Sequence, residues 1–182
     1  MLNLLKEVIK VGEATTKYPL ESLDLAPGFR GKPVYNPELC LACAACTTVC
    51  PPNALAMDTD TEHGVRTWSL FYGRCIFCGR CEEVCPTGAI TLSPDFELAA
   101  FNKNDLVVRA DFKLLECRVC NRYFAPGKEL TYVLALLEQA GLPGPEVAQR
   151  RSLLEVCPEC KRKCNVESIK RVGVGNPVEV KR

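Results

Sequence analysis

Apolar residues recur at helical spacing in two places along the chain. Leu2, Leu5, Val8 and Ile9 line up opposite Lys6 and Lys10, which predicts a short amphipathic helix. Leu130, Val133, Leu134 and Leu137 make a second stripe, within a helix expected over residues 129–140. Between the two stripes the pattern shortens. Ala54–Met57 and Ala89–Leu92 read as β segments, Arg66–Tyr72 alternates as a strand, and Asp58–Gly64 is a polar turn. The first stripe has two readings: a helix lying on the protein's own core, or a docking helix for a partner or a membrane-domain surface. The residues after it, Lys17-Tyr18-Pro19 through Pro33, look extended and offer little core to cover.

Composition narrows the class. Of 182 residues 47% are hydrophobic and 25% charged, ordinary for a folded soluble protein. With 23 basic and 22 acidic side chains the net charge is +1, so overall charge attracts neither nucleic acid nor an anionic membrane. Lys6, Glu7 and Lys10 interrupt the N-terminal apolar residues, so no signal-peptide core is expected, and no stretch approaches the ~18 apolar residues of a membrane span. The cysteines stand out. There are 13, an odd number in tight clusters, which fits metal ligation in a reducing compartment better than a disulfide framework.

Their positions divide the chain. Residues 1–37 form an N-terminal segment, 38–95 hold two cysteine runs, 96–116 are a cysteine-free connector, 117–164 hold a different cysteine spacing, and 165–182 are a polar tail. Each run reads Cys-x-x-Cys-x-x-Cys-x-x-x-Cys-Pro. Cys40, Cys43, Cys46, Cys50, Pro51 and Ala54 return 35 positions later as Cys75, Cys78, Cys81, Cys85, Pro86 and Ala89.

A 4Fe–4S cube needs one soft thiolate at each of four iron corners. Two-residue spacings let one tight loop supply three of them, and in two-cluster ferredoxins the fourth cysteine of each run serves the other cluster. One cluster is thus assigned to Cys40, Cys43, Cys46 and Cys85, and the other to Cys75, Cys78, Cys81 and Cys50. Pro51 and Pro86 stop the chain from continuing as helix. Small residues such as Ala42, Ala44, Ala45 and Gly79 let backbone N–H groups approach the sulfurs. Zinc knuckles come as pairs, not triplets followed by Cys-Pro. Between Leu41 and Val49 the first run carries no charge, whereas the second contains Arg80, Glu82 and Glu83; Arg80 is expected to raise the potential of its cluster.

Cys117, Cys120, Cys157 and Cys160 form two Cys-x-x-Cys pairs suited to one tetrahedral ion. Zinc is the default, and Cys157-Pro158-Glu159-Cys160 resembles a rubredoxin knuckle, which keeps a single iron open. Cys164 is read as a spare thiol, and His63 in the polar turn as solvated. Trp68, Phe71 and Tyr72 are read as hairpin packing, and Lys161-Arg162-Lys163 with Lys170-Arg171 as a solvated face. No phosphate-binding Gly-rich loop and no Ser/His/Asp set is picked out, so no catalytic centre is expected.

Cys75-Ile76-Phe77-Cys78-Gly79-Arg80-Cys81-Glu82-Glu83-Val84-Cys85-Pro86 resembles the two-cluster subunit of respiratory complex I and its hydrogenase relatives. So do Tyr18-Pro19, Phe29-Arg30-Gly31-Lys32-Pro33, and the stretch from Phe96-Glu97-Leu98 to Asp105-Leu106. Cys117-Arg118-Val119-Cys120-Asn121-Arg122 with Cys157-Pro158-Glu159-Cys160-Lys161 is similar to the iron–sulfur subunit of formate hydrogenlyase and hydrogenase-4. The resemblance implies a relay subunit of a membrane-bound [NiFe] hydrogenase, peripheral on the cytoplasmic face of the inner membrane. It implies as partners the hydrogenase small and large subunits, a ferredoxin-like formate dehydrogenase-linked subunit and a membrane-arm subunit. A free soluble two-cluster ferredoxin and a complex I-type peripheral-arm subunit are the alternatives. The expected fold is α+β, a bacterial-type two-cluster ferredoxin with an N-terminal docking helix and loop and a small C-terminal four-cysteine unit.

Overall fold

The repeat in the sequence becomes a repeat in space. In a computed structural model that describes residues 2–12 and 15–171, strand β1 (Pro33–Tyr35) pairs antiparallel with β4 (Ile90–Leu92). Strand β2 (Leu55–Asp60) pairs in the same sense with β3 (Val65–Phe71). The registers correspond: Pro33 opposite Leu92 repeats as Trp68 opposite Met57, and Tyr35 opposite Ile90 repeats as Leu70 opposite Leu55. Two one-turn helices, α2 (Ala45–Thr48) and α3 (Arg80–Val84), carry the third cysteine of each run. Ala42, Ala54, Leu55, Trp68, Leu70, Ile90 and Phe112 form the buried core, and Cys40, Cys46, Cys50, Cys75, Cys81 and Cys85 pack against it.

The polar turn is shorter than its composition predicts, because β2 continues to Asp60 and the chain reverses over residues 61–64. The cysteine-free stretch 96–116 contains a ten-residue strand, β5 (Val107–Glu116). It pairs along β3 from Val65↔Lys113 to Phe71↔Val107, extending the sheet to the order β2-β3-β5-β6, with β6 at Tyr123–Pro126. Phe112 and Leu114 point into the core while Asp111, Lys113 and Leu115 face out. The doubled apolar pairs Val107-Val108 and Leu114-Leu115 obscure this period of two in the sequence.

Helix α4 (Gly127–Gln139) occupies almost the predicted span, and its stripe residues are half-buried. Its first turn is tied to the loop before Cys40: Lys128 Nζ donates to the carbonyls of Pro37 (3.0 Å) and Glu38 (3.1 Å). Helices α5 (Gly144–Leu154) and α6 (Pro158–Arg171) complete the described chain. Helix α1 (Leu2–Val11) does not lie on the core, since Leu5, Val8 and Ile9 are 60%, 61% and 74% exposed. Of the polar tail, residues 172–182 lie outside the described residues, as do the side chains of residues 167–171, Lys170 and Arg171 among them, and that of Leu2.

Candidate metal centres

The eight cysteines of the two runs stand around two cavities. One is lined by Cys40, Cys43 and Cys46 from the first run and by Cys85 from the second. The other is lined by Cys75, Cys78, Cys81 and Cys50. The cause is local. Each third cysteine sits on a helical turn, and each fourth follows the end of that turn, where Pro51 or Pro86 redirects the chain across to the neighbouring loop. Neither cavity is lined by a carboxylate or an imidazole. A purely thiol donor set, wider than a single-ion site, fits a 4Fe–4S cluster in each.

The repeat extends to backbone conformation. Ala42, Ala44 and Asn53 have positive φ (57°, 64° and 50°), and the residues 35 positions on, Phe77, Gly79 and Gly88, have it too (54°, 81° and 64°). For a residue with a Cβ this conformation costs roughly 1–2 kcal/mol. It turns N–H groups towards sulfur: Ala42 N donates to Cys40 Sγ and Phe77 N to Cys75 Sγ, each at 3.4 Å. An arginine braces each loop. Arg66 Nη1 donates to the Ala42 carbonyl and Arg30 Nη1 to the Cys78 carbonyl, both at 3.0 Å.

The walls differ. Trp68, fully buried, donates from Nε1 to Cys46 Sγ at 3.4 Å. Burial pushes the Cys46 thiol up, and this N–H bond pulls the other way. Tyr35 stacks on Trp68 with ring centroids 3.7 Å apart and planes at 11°. Its hydroxyl is buried beside the Cys40 side chain but makes no well-formed hydrogen bond among the described residues, an arrangement that costs about 1–3 kcal/mol when left unmet. Burial, then the Cys40, Cys46 and Cys85 side chains, raise the Tyr35 pKa. Cys85 accepts from Ala89 N at 3.2 Å. Burial pushes the Cys85 thiol up, but hydrogen bonds from Thr87, Ile90 and Ala89 outweigh it and hold the group below its usual range.

Arg80 lines the second cavity, pairs with Glu83 at 3.4 Å and is 65% exposed, so its partner and solvent weaken its field at the cluster site. Sequence reasoning missed Arg30, Arg66, Thr87 and Tyr35, and read Trp68 as packing. Laying the two repeats over each other would have marked Tyr35 and Trp68, which stand where the partner repeat has Leu70 and Pro33. His63 is exposed and hydrogen-bonded to Asp60, away from both cavities.

The remaining cysteines make a tighter group. The sulfurs of Cys117, Cys120, Cys157 and Cys160 all lie within 4.8 Å of one another, the only such gathering among the described residues. Cys120 and Cys157 are 3.8 Å apart, the edge of a tetrahedron with metal–sulfur bonds of about 2.3 Å. The first pair flanks the turn between β5 and β6, where Asn121 has φ 55°. The second does not form a loop knuckle: Cys157 precedes α6 and Cys160 lies in its first turn, with Pro158 as the opening helical residue. An ion pair from Arg122 to Glu159 joins the two halves. Cys117 Sγ accepts from the backbone N of Cys157 (3.2 Å) and Val119 (3.5 Å). Backbone donation, from Cys157 first, lowers its pKa to about 6, which favours the thiolate a metal requires. Cys164, exposed on α6, is outside this group.

Paired thiol-lined cavities on a duplicated strand-and-turn scaffold define a two-cluster iron–sulfur protein. Residues 39–89 match the family described as 4Fe-4S dicluster domain. Formate hydrogenlyase subunit 6 of Escherichia coli (strain K12) is 51% identical over 169 residues, covering 92% of this chain and 93% of that protein. The chain belongs to the formate hydrogenlyase subunit 6 family of iron–sulfur electron-transfer subunits. NADH-quinone oxidoreductase subunit I of Buchnera aphidicola subsp. Schizaphis graminum (strain Sg) is 38% identical, covering 63% of this chain and 68% of its own length. Among solved structures, a chain of the membrane-bound sulfane sulfur reductase, an archaeal respiratory membrane complex, aligns with TM-score 0.43 and 29% identity over 58% of each chain.

Proposed function

We propose that this chain relays electrons inside a membrane-bound [NiFe] hydrogenase complex of the formate hydrogenlyase or hydrogenase-4 type. Cys40, Cys43, Cys46 and Cys85 hold one 4Fe–4S cluster, and Cys75, Cys78, Cys81 and Cys50 hold the other. The observation that carries this reading is the sorting of eight thiols into two cavities, each taking three from one run and the fourth from the other. When bound, such clusters supply reversible one-electron chemistry. The chain's own residues do the rest. The exchanged fourth cysteines keep the two sites adjacent, Trp68 and Leu70 exclude water, and the strained loops aim N–H donors at sulfur.

Kinship over 92% of the chain supports this setting. The proposed partners are the hydrogenase small and large subunits, a ferredoxin-like subunit linked to formate dehydrogenase, and a membrane-arm subunit on the cytoplasmic face. No helix of the described residues is long and apolar enough to cross a membrane, so attachment is proposed through partners, with the uncovered apolar face of α1 as one contact. No catalytic centre is assigned to this chain. Cys117, Cys120, Cys157 and Cys160 are proposed to hold a structural ion, zinc by the thiolate geometry, with a single iron as the alternative.

Anaerobic metal analysis with electron paramagnetic resonance tests the assignment: about eight cluster irons are expected from two four-iron sites. Cys85→Ser is expected to damage the cluster of Cys40, Cys43 and Cys46. Loss of the Cys75, Cys78 and Cys81 cluster alone would refute the crossing. Co-purification from gently solubilised membranes tests the setting, and recovery only as a lone monomer would favour a free ferredoxin.

A further inference from the structure

The two cavities are built from equivalent positions, so any difference between them must come from particular side chains. The loops match: each has an arginine on a carbonyl at 3.0 Å and a backbone N–H on its first cysteine at 3.4 Å. The strand walls do not match. On its strand side the second cavity is walled by Pro33, Leu55, Leu70 and Leu92, none with a side-chain donor, while Arg80 on its loop side is exposed and paired with Glu83. At the equivalent positions the first has Trp68, Ile90, Tyr35 and Met57. Trp68 Nε1 already points at Cys46 Sγ, and Tyr35 lines the same cavity with its buried hydroxyl beside the Cys40 side chain. The stacked rings hold each other in place, so neither donor can swing away without breaking the stack.

We propose that Trp68 and Tyr35 act as a donor pair that makes the cluster of Cys40, Cys43, Cys46 and Cys85 the higher-potential member of the two. This rests on the cluster placement proposed above. Reduction adds one electron, and its negative charge spreads over the sulfurs. A fixed N–H or O–H donor stabilises the reduced form more than the oxidised one, because its dipole meets more negative charge. Trp68 and the Tyr35 hydroxyl are buried, so water does not screen their side of the contact. A single electron delivered by a reduced iron–sulfur donor therefore rests mainly on the first cluster, and the second is the harder to reduce. Trp68 and Tyr35 move no proton; the hydrogens stay on nitrogen and oxygen in both states.

The test is potentiometric titration of the full chain, reading each cluster by electron paramagnetic resonance. Trp68→Phe removes the N–H and keeps an aromatic ring, and Tyr35→Phe removes only the hydroxyl. Each is expected to weaken reduction of the first cluster roughly three- to tenfold, tenfold being 59 mV for one electron, and to leave the second nearly unmoved. Electron–nuclear double resonance of the reduced wild type should show an exchangeable proton coupled to the first cluster that is absent in Trp68→Phe. If Trp68→Phe fails to take up clusters, Tyr35→Phe and the wild-type proton signal decide. Equal potentials in the wild type, or variants with both clusters and unshifted potentials, overturn the inference and leave the ligand assignment standing. A wild type without two four-iron clusters overturns both.

Discussion

Adding one methyl group at Gly31 should detach the segment that braces the second cluster loop. A Cβ there would lie 2.1 Å from the Asp95 carbonyl oxygen and 2.6 Å from that of Ser93, both rigid backbone atoms. The two segments must part. Doing so breaks the bonds from Gly31 N to Ser93 O (2.8 Å), Lys32 N to Asp95 O (2.6 Å) and Ser93 N to Lys32 O (3.0 Å). At about 1 kcal/mol net for each bond, local stability falls by about 3 kcal/mol. The exposed Lys32–Asp95 ion pair adds little. Three kcal/mol is roughly a hundredfold in the local opening equilibrium. Gly31→Ala is therefore expected to accelerate amide hydrogen exchange over residues 26–35 by about two orders of magnitude. Gly28→Ala is the control. Gly28 has φ 77° but nothing within 4 Å, so the change costs only the left-handed penalty of about 1–2 kcal/mol. Exchange in Gly31→Ala no faster than in Gly28→Ala would refute the reasoning. The clash also pulls Arg30 from the Cys78 carbonyl, so the second cluster should lose stability before the first.

Arg30→Gln should lower the potential of the second cluster by about a few tens of millivolts, more than Arg80→Gln, because Arg80 is already paired with Glu83 in solvent; redox titration of the two variants checks the order. Cys117→Ser should release the C-terminal ion and expose α4 to α6 to limited proteolysis, while about eight cluster irons remain by metal analysis. Zinc uptake by a protein with that ion removed should release fewer than four protons at pH 7.5. The pKa of Cys117 is lowered to about 6, so it is already deprotonated there, and affinity should fall as pH drops through that value; an indicator-dye titration counts the protons.

The candidate thiolates were legible in the chain itself, because a thiolate set is a matter of residue type and spacing. Eight cysteines in two runs of identical spacing, and four more in two pairs, mark the candidate ligands before any fold is known. The α+β class and the helix over α4 were legible for a similar reason, since local period reports local conformation. Three things needed the tertiary structure. Strand β5 looked like a connector, because what holds it is cross-strand pairing with β3 and burial of Phe112 and Leu114, neither of which is local. The second cysteine pair looked like a rubredoxin knuckle but opens a helix, since Pro158 starts a helix as readily as it shapes a turn. The role of Trp68 was hidden for the deepest reason. Its indole N–H meets a sulfur 22 positions away only because the two repeats interlock, β1 with β4 and β2 with β3, and contacts between folded elements leave no period in a sequence.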